Sequence, residues 1–310
     1  MKLEITPCKA RLGAEVRGID LSQPLTTDAR TAIETAIAEH AVLVFRNQPL
    51  SQDSQVALAR SFGPLDLGLK RVKKTASRFR YDELLDISNV GVDGEIAARD
   101  TRRIVGNLAN QLWHSDSSFQ NPAARYSLLS AITVAPSGGD TEFCDLRAAW
   151  DALPEDWKRD VEGRDAVHYA LHSRFMLGDT DYNEAQRAEL PPVTWPLVRT
   201  HPDSGRKLLF VGAHACEVSG MTLAEGRMLL MDLLEHATQR EFVYVHKWQP
   251  GDLVMWDNRS TLHRGRRYDL SVRREMRRTT TLDVDGSHDD ADDVTNAVGA
   301  TPATRSPQLA

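Results

Sequence analysis

The segment Trp113-His114-Ser115-Asp116-Ser117-Ser118-Phe119 places a histidine and an aspartate two residues apart. On an extended segment such side chains leave the same face, so His114 and Asp116 can grip one metal ion. A third candidate ligand, His263, follows 149 positions after His114, behind an apolar run from Leu253 to Trp256 that reads as a buried strand opened by a Gly251-Asp252 turn. Two imidazoles and one carboxylate on one face of an octahedron, with the other positions open, form the ligand set of non-haem Fe(II) oxygenases. A lone His-x-Asp is a weak signal, because histidines beside aspartates commonly pack or hydrogen-bond. The distant third ligand strengthens it.

An oxygenase of this kind needs an oxidisable co-substrate, and 2-oxoglutarate carries two carboxylates. One end, with the adjacent keto oxygen, can chelate iron; the far carboxylate needs a fixed cation, which the planar fork of arginine supplies well. Arg274, eleven residues after His263, is the candidate. Arg278 shares its face if residues 274 to 282 form a strand, as Thr279, Thr280 and Thr281 favour. Two guanidiniums would then serve two carboxylates, the second belonging to a small anionic substrate. The competing reading is a solvated edge strand protected by Arg273, Arg274, Arg277 and Arg278.

With these residues in place, the chain resembles the taurine dioxygenase family of Fe(II)- and 2-oxoglutarate-dependent enzymes, and within it the branch that oxidises aryloxyacetates. The resemblance runs from about residue 14 to residue 283. It is densest in Gly106 to Phe119, Pro136 to Leu153, Leu197 to Ala215 and Glu225 to Leu282. Its motifs are Asn110-Gln111-Leu112-Trp113-His114-Ser115-Asp116, then Ser137-Gly138-Gly139-Asp140-Thr141-Glu142-Phe143, and Met255-Trp256-Asp257-Asn258 through His263 to Arg278. The resemblance implies a double-stranded β-helix, with His114, Asp116 and His263 binding Fe(II). It also implies that Thr141 and Arg274 hold the distal carboxylate of 2-oxoglutarate beside Trp256, that Arg278 meets the acidic group of the substrate, and that Asn110 lies close to it. Arg71 stands where the family's branch has a lysine, so the cationic character is kept.

The implied reaction consumes O2 and 2-oxoglutarate and hydroxylates the ether-side methylene of an aryloxyacetate such as 2,4-dichlorophenoxyacetate. A sulfonate, an alkyl sulfate or an aryloxypropionate is the alternative substrate. A jelly-roll protein with a merely structural metal is the alternative of another class, but it has no use for the carboxylate clamp of Thr141 and Arg274. A zinc hydrolase has no use for the arginine pair either.

The elements that must hold these residues are legible in outline. Thr27 to His40, with Ile33 and Ile37 four apart, reads as a helix feeding a strand from Ala41 to Phe45. Ser51 can cap a helix reaching about Phe62, stopped by Gly63-Pro64, and Asp145 caps one carrying Trp150 and Leu153. Thr222 and Glu225 form a capping box ahead of Leu230 and Leu234. Short strands are expected at Lys207 to Val211, Phe242 to Trp248, Leu253 to Trp256 and Arg277 to Val284, giving a mainly β jelly roll with flanking helices. His214 follows one of these strands and is a candidate for the substrate pocket. The other histidines read as hydrogen-bonded structural residues.

Residues 1–284 read as one domain. The formal charge is −6, of which residues 285 to 310 contribute −4, so the body carries only −2. That segment has almost no large apolar residues and is expected to be a disordered acidic tail. The basic stretch from Lys70 to Lys74, with Arg78 and Arg80, reads as a surface loop or as a lid that attracts anions. It is too short, in an acidic chain, to indicate nucleic-acid binding. Three widely spaced cysteines, no export signal and no run of 18 apolar residues point to a cytoplasmic protein without disulfides or a membrane partner. Self-association into a homo-oligomer stays open.

Overall fold

The structure is a computed structural model that describes residues 3–8, 12–73, 77–99 and 101–284, without the side chains of Arg71, Lys73, Arg102, Arg103 and Val105. Thr26 accepts a hydrogen bond from the Ala29 amide to open helix Thr27–His40, which buries Ile33 and Ile37 on one face. The helix ends at Ala41, whose left-handed backbone (φ 59°) turns the chain, so the strand begins one residue later than expected, as Val42–Phe45. Ser51 and Ser54 cap helix Gln52–Arg60 reciprocally. Both helices lie on one face of a seven-stranded sheet.

The strands of that sheet run, in spatial order, Glu4–Pro7, Ala14–Arg17, Val42–Phe45, Leu253–Asp257, Ala124–Thr133, Glu275–Leu282 and Leu85–Asp86. Neighbours are antiparallel except Ala14–Arg17 with Val42–Phe45. Alternate side chains separate two cores, as the two-residue strand period requires. Leu43, Phe45, Leu128 and Met255 pack with Ile33, Ile37, Leu58 and Phe62 on the helical side. Val42, Val44, Leu129, Val254 and Trp256 face the other way, against Phe143. Phe143 belongs to a second, antiparallel sheet of Val243–His246, Thr141–Asp145 and Thr261–Gly265. Behind it, helices Leu146–Ala152 and Leu223–Ala237 close a further core around Trp150, Leu209, Phe210, Leu233 and Leu262. Their caps are Asp145 and the Thr222/Glu225 box. The result is a mainly β core of two facing sheets with flanking helices.

Three expectations need correction. The strand carrying the arginines is Glu275–Leu282, two residues earlier than expected, and it lies between two neighbours rather than at an edge. Arg277 points to the helical side, where Nε donates to Gln55 Oε1 at 2.7 Å and Nη2 to the Leu50 carbonyl. With Arg274 and Arg277 each only 7 % exposed, a solvated basic edge is excluded. The start of the basic stretch is not irregular but forms one helical turn, Lys70–Lys73. Arg78 is bound by Asp86 at 2.9 Å and by Glu275 and Ser88. Strands Lys207–Leu209 and Val243–His246 are shorter than read from sequence: Phe210 and Val211 lie past the end of the first, and Phe242 belongs to the 3-10 helix Arg240–Phe242 ahead of the second. The acidic segment 285–310 lies outside the described residues. Cys8, Cys144 and Cys216 are free thiols. No helix among the described residues is long and apolar enough to cross a membrane.

Candidate active site

His263 sits in the middle of strand Thr261–Gly265, paired with Phe143 on one side. On its other side the chain passes His114 as an isolated antiparallel bridge. The His114 amide donates to the His263 carbonyl at 3.1 Å, and the His263 amide returns the bond at 2.8 Å. The expected extended segment holds only as far as this bridge. From Asp116 the chain turns, with Ser117 in the left-handed region (φ 47°) and its hydroxyl donating to the buried Asp66 carboxylate. The bend leaves the Asp116 carboxylate between the two rings, 3.7 Å from His114 Nε2 and 3.8 Å from His263 Nε2. All three residues are buried, and their ligand atoms lie within 4.8 Å of one another.

Their protonation suits a cation. His114 Nδ1 is 2.7 Å from the Leu112 carbonyl, which can only accept, so Nδ1 carries the proton and Nε2 keeps its lone pair. Burial pulls both imidazoles below their ordinary range, against the attraction of Asp116, and keeps them neutral. Burial alone would raise the Asp116 carboxyl, but Arg278, the two imidazoles and the Ser127 hydrogen bond outweigh it and hold it at about 2. His263 turns Nε2 to Asp116, while its Nδ1 is buried without a hydrogen-bond partner among the described residues. Two neutral imidazoles and an ionised carboxylate, enclosed together, fit iron(II).

A fixed frame aims the carboxylate. Ser127 Oγ donates to Asp116 Oδ2 at 2.7 Å and accepts from Asn258 Nδ2 at 2.9 Å. Asn258 Oδ1 accepts from the Asp116 amide at 3.2 Å and from the Trp256 indole at 3.0 Å. Ser127 and Asn258 lie on or beside adjacent strands of the large sheet, so sheet register sets the carboxylate's angle. The sequence reading missed both, although the Trp-Asp-Asn stretch was the available signal. A second acidic cluster, His201, Asp203 and Asp257, is occupied by Arg259, whose Nη2 reaches Asp257 at 2.7 Å and also binds Asp203. It braces the turn that leads into the His263 strand.

One cavity, of about 80 Å³, lies between His263 and Arg274 and is lined also by Thr141, Trp256, Asn110 and Arg278. Arg274 donates to the Gly139 carbonyl at 3.2 Å and lies 5.2 Å over the Tyr268 ring. Among the described residues no carboxylate reaches it. Burial draws its guanidinium below the ordinary range, with Tyr268 pulling the other way. An enclosed cation without a counter-charge is costly, so this wall is built for an anion. The Gly-Gly pair of the motif has a steric reason: Gly139 (φ 74°) runs so close that a Cβ would sit 3.1 Å from Arg274 Nε. Thr141 Oγ1 accepts from the Trp248 indole at 2.9 Å and keeps its own proton to donate. Replacing Arg274 with Gln removes a charge-assisted contact of about 1.5–3 kcal/mol. The expected result is a rise of roughly tenfold to a hundredfold in the apparent KM for 2-oxoglutarate, read from succinate release. An unchanged constant would refute the role, since Arg273 and Arg277 bind elsewhere.

A larger cavity, of about 270 Å³, opens on the far side of His114 and Asp116 and shares Asn110 and Arg278 with the first. Arg278 Nη1 lies 2.7 Å from Asp116 Oδ1, and among the described residues its buried Nε has no hydrogen-bond partner. His214 lines this cavity, its ring 4.8 Å from Phe119 and 6.4 Å from His114. The side chain of Arg71 lies outside the described residues; its neighbour Lys70 lines the wall and pairs with Asp82 at 3.1 Å. Arg174, on the short helix His172–Phe175, also faces the cavity, and no sequence motif marks it. His168, His201, His236 and His246 are hydrogen-bonded to Ser118, Asp257, Ala149 and Asp252, as structural histidines are.

Known proteins share this architecture. The chain is 64 % identical over 283 residues to the alpha-ketoglutarate-dependent 2,4-dichlorophenoxyacetate dioxygenase of Cupriavidus pinatubonensis, covering 91 % of this chain and 99 % of that one. It is 37 % identical to the (S)-phenoxypropionate/alpha-ketoglutarate-dioxygenase of Sphingobium herbicidovorans, over 88 % and 92 % of the two chains. The crystal structure of AAD-2 in complex with Mn(II) and N-oxalylglycine superposes with a TM-score of 0.87 at 45 % identity, covering 91 % of this chain and 98 % of that one. The family described as taurine catabolism dioxygenase TauD, TfdA family matches residues 4–280. With nearly its whole length matched and its two facing sheets shared with solved jelly-roll relatives, the chain belongs to the TauD, TfdA family of dioxygenases, which are oxidoreductases.

Proposed function

We propose that the protein hydroxylates the ether-side methylene of an aryloxyacetate such as 2,4-dichlorophenoxyacetate. The observation that carries this reading is the meeting of two cavities at one buried His-Asp-His cluster. One ends at Arg274, which no carboxylate reaches among the described residues, and Arg278 lines both. The name of the 64 % identical relative supports the substrate class.

The protein is an alpha-ketoglutarate-dependent dioxygenase that works with iron(II) and O2. His114, Asp116 and His263 hold the metal, with Ser127 and Asn258 fixing the aspartate. Arg274 and Thr141 bind the distal carboxylate of 2-oxoglutarate, and Trp256 walls that site. Iron bound there supplies the redox chemistry that couples O2 reduction and decarboxylation of 2-oxoglutarate to hydroxylation of the substrate. Arg278 holds the substrate carboxylate, with Asn110 and His214 beside it, so that the methylene is presented to the cluster and the ring extends into the larger cavity. The hydroxylated carbon then bears both a hydroxyl and an aryloxy group. This hemiacetal collapses to a phenol and glyoxylate, alongside succinate and CO2. Residues 1–284 act as one domain in this reading, in the cytoplasm.

The test is a panel of aryloxyacetates, aryloxypropionates and sulfonates incubated with iron(II) and 2-oxoglutarate, scored by O2 uptake and phenol release. The expected result is fastest coupled turnover with an aryloxyacetate. Turnover with sulfonates alone would overturn the reading.

A further inference from the structure

Among the described residues, the wall of the larger cavity carries two cations that the proposed chemistry has not used, Lys70 and Arg174. Arg174 reaches it from helix His172–Phe175, where Nη1 donates to the Gly106 carbonyl at 2.6 Å. Among the described residues its buried Nε has no hydrogen-bond partner, and no carboxylate is paired with it. The other charges of the wall are already committed. Lys70 pairs with Asp82, and Asp86 binds Arg78. Asp66 accepts from Ser117, Gln120 and the Gly68 amide. Asp116 is a candidate metal ligand. Burial lowers Arg174 from its ordinary range, Tyr182 and Asp179 pull the other way, and the Arg278 charge adds to the burial effect. Two guanidiniums that repel across one cavity are reconciled by an anion placed between them.

We infer that Arg174 is a second cationic anchor for the substrate's carboxylate, facing Arg278, and so a specificity-determining residue for anionic aryloxyalkanoates. The inference rests on the aryloxyacetate reading of the same site. A single carboxylate has two oxygens with several lone pairs, enough for both forks. The Gly106 contact fixes Nη1 of the Arg174 guanidinium, and the side chain forms part of the cavity wall. A substrate without the negative charge would gain from only part of this arrangement, so the pair would select acids over neutral analogues of the same shape.

The experiment measures turnover of 2,4-dichlorophenoxyacetate and inhibition by its uncharged carboxamide in the iron- and 2-oxoglutarate-loaded enzyme and in Arg174→Gln. The KM for the acid is expected to rise roughly tenfold to a hundredfold in the variant, with the carboxamide inhibition constant and the KM for 2-oxoglutarate unmoved. Loss of the Gly106 contact alone would weaken acid and carboxamide alike, and that result, or an unchanged KM for the acid, overturns the inference. If Arg174→Gln does not fold, Arg174→Lys carries the test, because it keeps the charge and can keep the Gly106 contact without the fork. There a rise for the acid alone supports the inference, and equal or absent changes overturn it. A wild-type enzyme that turns over no aryloxyalkanoate overturns the functional reading, and this inference with it. Wild-type turnover with an unaltered variant overturns the inference alone.

Discussion

Replacing His263 with Ala is expected to abolish turnover and to weaken iron(II) binding by more than roughly a hundredfold, beyond the usual cost of losing a residue that merely supports a ligand. The substitution removes one of the two imidazoles that lie beside Asp116 among the described residues, which on the proposed assignment leaves a donor set too small to hold the metal against water. It is also a clean variant. The His114–His263 bridge is made by main-chain atoms, so alanine preserves the pairing that carries the chain past the site. The imidazole it removes has one buried nitrogen without a partner, so little hydrogen bonding is lost with it. The metal-free variant should therefore unfold near the wild-type temperature. Anaerobic iron(II) titration and succinate release decide the matter: one-equivalent binding at wild-type affinity with normal activity would show that the ligand set lies elsewhere.

The chemistry of this site was more legible than its geometry. Types and spacing singled out His114, Asp116, His263 and Arg274, because few side chains can bind a metal or clamp a remote carboxylate. What spacing could not reveal was how His114 and Asp116 come together. An extended segment was expected, but the chain bends at Ser117, and the bend depends on Asp66, fifty-one residues earlier. The helices at Thr27 and Leu223 were readable because their caps are local, whereas the strand of the arginines was misplaced by two residues. Its start depends on pairing with Ala124–Thr133 through a register shift between Glu275 and Met276, which leaves no mark in the strand's own sequence. The same limit hid Ser127 and Arg174. Each owes its place to sheet register or to a distant helix rather than to a motif.

Removing the Arg278 side chain should separate co-substrate consumption from substrate oxidation. Arg278→Ala leaves Arg274, Thr141 and Trp256 in place, so the KM for 2-oxoglutarate is expected to stay close to the wild-type value. The substrate loses the guanidinium at the junction of the two cavities, and with it the contact that fixes which carbon faces His114 and Asp116. The KM for the aryloxyacetate should rise by roughly tenfold to a hundredfold, the worth of a charge-assisted contact. The larger effect is on positioning, because a displacement of about 1 Å in a reacting group can cost on the order of a hundredfold in rate. Succinate release should then continue slowly while phenol release falls much further. In the wild type the two products are expected in equal amounts, since one 2-oxoglutarate would be consumed for each methylene hydroxylated. Arg278 also pairs with Asp116 at 2.7 Å, so iron(II) affinity must be measured in the same variant. Weakened metal binding would lower both products together, whereas lost substrate anchoring lowers phenol alone. Equal release of succinate and phenol with an unaltered KM for the aryloxyacetate would remove Arg278 from substrate recognition and leave the carboxylate to another cation of the cavity.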